Sequence, residues 1–240
     1  MADNQITAVL FDWDFTLAYS IGPNVTFSER LAVLFRRYGV QTTANEMDNI
    51  LNTIRREIST GVLQASLFPQ EKQAIIKNYR IILGKLGHPD TSYDFAYQLY
   101  SSYAELPHFL YDDVLPTMQA LKQCGYRLGI LSNHSVSART VMEKMIGEFI
   151  PTHHITVSEA LDMHKPDPNI FWVAAAKLGA QPAACFYVGD NLEVDAIGAV
   201  QQGGYAQGLW LNREKRPFAI PLPQHVAQIE SLTQMLKFLP

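Results

Sequence analysis

Residues 9–17 read VLFDWDFTL. An apolar run of the kind that forms a buried strand ends in two carboxylates, Asp12 and Asp14, with only Trp13 between them. Like charges packed together in a poorly solvated place repel, so keeping them there calls for a compensating cation. Residues two apart on an extended chain share a face. If the chain stays extended through Trp13, the spacing predicts that both carboxylates face one site.

The same kind of run recurs downstream, in YRLGILSN (126–133), HHITVSE (153–159), CFYVGDN (185–191) and YAQGLWLN (205–212). Helix-like spacing fills 113–123, 135–147, 168–178 and 193–202. Short apolar runs suit strands buried on both faces, and their alternation with helices predicts βαβ units and an open, mainly parallel α/β sheet. Residues 20–112 break this rhythm. SERLAVLFRRYG, ANEMDNILNTIRREIS, QEKQAIIKNYRIILGKLG and SYDFAYQLYSSYAE carry apolar residues three and four apart, so this segment is read as an inserted helical domain without strands. The core domain is then 1–19 with 113–240. Within it, REKRPFAIPLPQ (213–224) is expected to be a proline-rich turn region leading into a final amphipathic helix.

The 240 residues suffice for a core with an insertion, and 48% hydrophobic with 18% charged residues is an ordinary globular balance. A net charge of −4, with Lys and Arg scattered, argues against nucleic-acid or anionic-membrane partners. Cys124 and Cys185 lack metal-ligand spacing and read as buried reduced thiols. The start lacks a basic, then apolar, leader pattern, and no apolar run approaches the ~20 residues of a membrane span, so a cytoplasmic location is expected. His134, His153, His154 and His164 lie near the polar clusters without the spacing of a zinc pair. The arginine pairs of the insert read as solvated helix faces. A loop in 59–69, STGVLQASLFP, is expected to face the core.

Four of the five strand ends carry reactive groups. Asp12 and Asp14 follow the first, Ser132 and Asn133 the second, Lys165 the third, and Asp190 and Asp195 the fourth. In an open parallel sheet that edge is where ligands bind. Alone, each cluster is an ordinary turn, loop lysine or first-turn helix acid. Together they put four carboxylates into one crevice. All-oxygen ligands suit a hard cation, and Mg²⁺ fits best where phosphate supplies a further ligand. A cation, a lysine, a hydroxyl, backbone amides and a spare carboxylate are what phosphoryl transfer to an aspartate requires.

DWDFT (12–16), LSN (131–133), HKP (164–166) and GDNLEVD (189–195) resemble, in order and spacing, the four motifs of the haloacid dehalogenase (HAD) superfamily. The resemblance covers 6–20 and about 113–212. It implies a Rossmann-like three-layer core, a C1-type helical cap over 20–112, Mg²⁺ as cofactor, and a phosphatase working through an aspartyl-phosphate on a small phosphorylated metabolite. Carried over, Asp12 is the nucleophile and a metal ligand. Asp14 is the general acid/base and binds the metal through its carbonyl, and Thr16 fixes the turn. Ser132 and the Asn133 amide hold phosphoryl oxygens, Lys165 offsets negative charge, and Asp190 and Asp195 serve the metal, the latter directly or through water. One departure is Phe15, where the family usually has glycine, so the turn is expected either to be strained or to take another path. Asp14 speaks against haloalkanoate dehalogenation and phosphonate cleavage. A phosphomutase shares the whole apparatus and stays open. A silent binding protein would have lost catalytic positions, and none is lost. Monomer and homodimer are equally compatible with the sequence.

Overall fold

Ala8–Phe11 (β1) is buried at all of its positions and has another strand on each edge. The computed structural model describes residues 5–239. After β1 come Ala18–Ser20 (β2), His108–Leu110 (β3), Arg127–Ser132 (β4), Ile155–Val157 (β5), Cys185–Gly189 (β6), Gln207–Leu211 (β7) and Val226–Ile229 (β8). Six of them form one sheet in the order β5-β4-β1-β6-β7-β8. Every pairing in it is parallel. This is the open α/β sheet expected from the alternating runs, with β1 at its middle. β2 and β3 make a separate two-stranded sheet.

The chain forms two compact units, one from the residues up to Tyr19 with those from Phe109 onward, the other from Ser20–His108. The second is built on Phe27–Arg37 (α1), Ala44–Ser59 (α2), Lys72–Lys85 (α3) and Tyr93–Ser102 (α4). Thr26 and Glu29 form a reciprocal capping box at the start of α1, and the hydroxyls of Thr43 and Ser92 cap α2 and α4. Leu31, Phe35, Met47, Ile54, Leu83 and Leu99 fill its core. The buried Asn78 donates to the Ser66 carbonyl at 2.6 Å, tying the segment before α3 to that helix.

In the first unit, Val114–Gln123 (α5), Ala138–Ile146 (α6) and Pro168–Lys177 (α7) follow the strands. Asp167 caps α7 and Pro168 occupies its first turn. Leu192–Gln202 winds as a wide π-type helix, with Gly203 N–H bonded five residues back to Gly198 O. It packs closely on β7. A Cβ on Gly208 would stand 2.1 Å from the Ala196 carbonyl oxygen, so only glycine fits there.

Three expectations need correcting, the first being that Cys124 is exposed where a buried thiol was expected, while Cys185 is buried. The expected final amphipathic helix is instead β8, in parallel register with β7, followed by a short 3₁₀ helix at Leu232–Lys237. Val226, Ile229, Leu232 and Met235 are buried at three-residue spacing, which mimics a helix face. The segment 20–112 is also not free of strands, since it holds β3 and the last residue of β2.

Candidate active site

The pairing of β1 with β6 runs one residue past the strand, where Asp12 N–H donates to Val188 O at 2.9 Å. Beyond it the chain does not stay extended. Trp13 O accepts from the amides of Thr16, Leu17 and Ala18, and Phe15 N–H donates to Ala18 O at 2.7 Å, closing a tight turn. Phe15 sits at φ 59°, the left-handed region that glycine usually supplies, at a cost of about 1–2 kcal/mol. Of the two outcomes foreseen for this position, Phe15 takes the strained turn. Asp14 Oδ2 lies 3.4 Å from His134 Nε2.

Lys165 is the hub of the remaining residues and is 2% exposed. Its Nζ donates to Asp12 Oδ1 at 2.7 Å, Asp195 Oδ1 at 2.7 Å and the Tyr187 hydroxyl at 2.9 Å. The Tyr187 hydroxyl in turn donates to Leu131 O at 2.5 Å. The Asn133 side chain grips the Lys165 main chain from both sides, donating to its carbonyl at 3.1 Å and accepting from its N–H at 2.8 Å. The Lys165–Pro166 bond is cis. Asp195 uses its second oxygen to accept from Asn191 N–H at 3.0 Å. A Cβ on Gly189 would come within 2.3 Å of that oxygen, so the glycine makes room for the carboxylate. Ser132 closes β4 and is buried. Thr16 is buried in the turn, where Oγ1 has no hydrogen-bond partner.

Carboxylate oxygens of Asp12, Asp190 and Asp195 lie within 4.8 Å of one another. One lysine faces three acids, which leaves the cluster short of positive charge. Burial pushes the Asp12 carboxyl up to about 6; Lys165 pulls the other way, and Asp195 and Asp14 add to the rise. Burial, then the charges of Asp195 and Asp12, hold Asp190 well above the usual carboxylate range. For Lys165, burial works against the charge, but Asp12 and Asp195 outweigh it and raise the ammonium above its ordinary value. A cluster this short of positive charge fits a divalent cation. Its donors are all carboxylate oxygens, the chemistry of a hard ion such as Mg²⁺. Since both Asp195 oxygens are already bonded within the protein, Asp12 and Asp190 are better placed to reach an ion directly.

Some participants escaped the sequence reading. His134, 5% exposed, accepts from Ser135 N–H at its Nδ1 at 2.9 Å. In the neutral ring this leaves the proton on Nε2, the nitrogen facing Asp14. Tyr187 lies two positions before Gly189 on the strand that leads to Asp190, and its hydroxyl was the one legible hint. Arg213, Asp113 and Tyr111 carried no signal, because they meet the turn from distant parts of the chain.

A family model described as a haloacid dehalogenase-like hydrolase matches residues 6–203. The chain belongs to this family. A glyceraldehyde 3-phosphate phosphatase of Methanopyrus kandleri is 39% identical to this HAD-like hydrolase over 95 residues, 39% of this chain and 40% of that one. Another, from Methanothermobacter thermautotrophicus, is 26% identical over 210 residues, 83% of each. The chain thus spans less than half the length of the first relative and most of the second. The solved structure of the HAD hydrolase YfnB from Bacillus subtilis, bound to magnesium, superposes with a TM-score of 0.69 at 19% identity, covering 98% of this chain and 99% of that one. At that identity the likeness establishes the fold. No helix among the described residues is long and apolar enough to cross a membrane.

Proposed function

We propose that this HAD-like hydrolase is a Mg²⁺-dependent phosphatase of small phosphomonoesters. The observation that carries the reading is the buried Lys165 ammonium joined to Asp12 and Asp195, with Asp190 in the same cluster. Two relatives named as phosphatases, and a structural neighbour that binds magnesium, support it.

Asp12 and Asp190, with the Asp14 carbonyl, would hold the ion, which when bound supplies positive charge to the transferring phosphoryl group. Lys165 supplies a second fixed charge and keeps one Asp12 oxygen aligned. The other Asp12 oxygen attacks phosphorus as the bond to the ester oxygen breaks, and Asp14 gives that oxygen its proton. Ser132 and the Asn133 amide steady the equatorial oxygens. Asp14, now ionised, takes a proton from water. That water attacks phosphorus, the bond to Asp12 breaks, and inorganic phosphate leaves with Asp12 restored. Halide expulsion needs no proton, so an acid at Asp14 favours an ester over a haloacid substrate. Residues 20–112 would form a C1-type cap that selects the leaving group, with the 59–69 loop contributing to that choice.

The test is hydrolysis of 4-nitrophenyl phosphate and a panel of phosphorylated metabolites, with Mg²⁺ and with chelator, in the native chain and in Asp12→Asn. Mg²⁺-dependent phosphate release lost in the variant is the expected result. Activity that survives Asp12→Asn, or its absence across the panel, would refute the reading.

A further inference from the structure

The strained turn after Asp12 has to be held by something. Its internal bonds use Trp13 O and Ala18 O as acceptors, while the carbonyls of Thr16 and Leu17 take donors from elsewhere in the unit. Tyr111 N–H reaches Leu17 O at 3.1 Å. Arg213 Nη2 reaches Thr16 O at 2.9 Å. The guanidinium is itself fixed on three sides. Nη1 and Nη2 donate to the two oxygens of Asp113 at 2.8 and 2.9 Å, and Cζ stacks 3.9 Å over the Tyr111 ring. Asp113 also accepts from Leu232 N–H at 2.7 Å. Beside Arg213, Asn212 bonds to both the N–H and the carbonyl of Arg216, which closes the loop that carries the guanidinium.

A planar fork bonded bidentately and stacked on a ring has little freedom left. Its charge is cancelled by Asp113, so the pair brings geometry to the site and no net charge. Phe15, at φ 59°, lies between Asp14 and Thr16. A non-glycine residue stays in that region only where its surroundings over-determine it.

We propose that Arg213 is a positioning residue: through the Thr16 carbonyl it holds the 13–18 turn in its strained form and so aims Asp14 at the leaving-group oxygen. The proposal rests on the reading of Asp14 as the general acid. Arg213 lies outside residues 6–203, the stretch that the family model matches.

The experiment compares two esters in the presence of Mg²⁺. 4-Nitrophenolate leaves with little help from an acid, whereas a simple alkoxide such as that of propyl phosphate needs its proton. In Arg213→Met, kcat for propyl phosphate is expected to fall about tenfold or more, within what a general acid contributes, and kcat for the aryl ester by less than about threefold, with both KM values unchanged. Asp14→Asn should show the same selectivity, more strongly. Amide exchange at Phe15 and Ala18 should quicken about tenfold in Arg213→Met as the turn loosens. Equal losses for the two esters, or no loss, would overturn the proposal, as would unchanged exchange. If Arg213→Met does not fold, Arg213→Lys, which keeps the charge and loses the fork, is measured by the same criteria. A native chain that hydrolyses neither these esters nor any of the phosphorylated metabolites refutes the phosphatase reading instead, and the exchange comparison then decides on its own whether Arg213 holds the turn.

Discussion

Replacing Lys165 by methionine removes one charge while nearly keeping the side chain's volume. The ammonium is 2% exposed and touches Asp12 and Asp195, whose side chains are 10% and 2% exposed. Removing one member of such a buried group strands the others, at about 3–5 kcal/mol. For a chain of this size a kilocalorie corresponds to roughly 2–4 °C, so Tm should fall by about 6–20 °C at neutral pH without divalent cations. The sign of the pH dependence is fixed by Asp12. Its pKa is already raised from 3.8 to about 6, so the folded chain binds this proton more tightly than the unfolded one. That contribution is fully present below 3.8 and is lost as pH rises through about 6. Lys165→Met removes the charge that lowers Asp12, so the loss on raising pH becomes larger. Calorimetric scans in chelator at pH 5 and 7.5 should show a deficit that shrinks on acidification. A deficit equal at the two pH values would mean that lost packing, not stranded carboxylates, accounts for the effect, and the electrostatic account of the cluster would fail.

Mg²⁺ affinity measured by titration calorimetry should weaken on going from pH 7.5 to 5, by roughly tenfold per unit once below Asp12's value near 6, because a proton then competes with the ion. Affinity flat across that range would place the ion away from Asp12. Gly189→Ala puts a methyl group 2.3 Å from an Asp195 oxygen, so it should cut turnover and Mg²⁺ affinity together; unchanged kinetics would show that Asp195 is not held where it is described. At Phe15, glycine should be tolerated to within about 1 kcal/mol, since relief of φ strain offsets its greater backbone entropy, while valine should cost about 1 kcal/mol or more in chemical denaturation. Valine as stable as glycine would mean that the turn does not require a left-handed residue there.

How much of this was legible depended on whether the information was local. The five apolar runs that became β1, β4, β5, β6 and β7 announced themselves, because a strand buried on both faces needs continuous hydrophobicity. The groups at their ends were legible for the same reason: once the runs are strands, topology gathers whatever follows them. β8 was hidden by a three-residue spacing that looks helical, and what makes it a strand is a partner, β7, that its own residues do not reveal. The short β2 and β3 are likewise defined by each other. Asp14 was expected to share a face with Asp12 if the chain stayed extended through Trp13; the chain bends there, and the contact of Asp14 with His134 had no local signal. Arg213 was out of reach of any local pattern, since its value lies in meeting Asp113 and Thr16 across the fold.

The place of β1 in the sheet also bears on how the protein is made. Ala8 pairs with Arg127 on one side and with Cys185 on the other. AVLF is therefore made before either of its neighbours in the sheet, and the second of them follows more than fifty residues after the first. Until then AVLF has an unpaired edge, an invitation to pairing with other chains. Such long-range closure also slows folding. Asp12, whose N–H bonds to Val188 O, can be set in place only after β6 has been made.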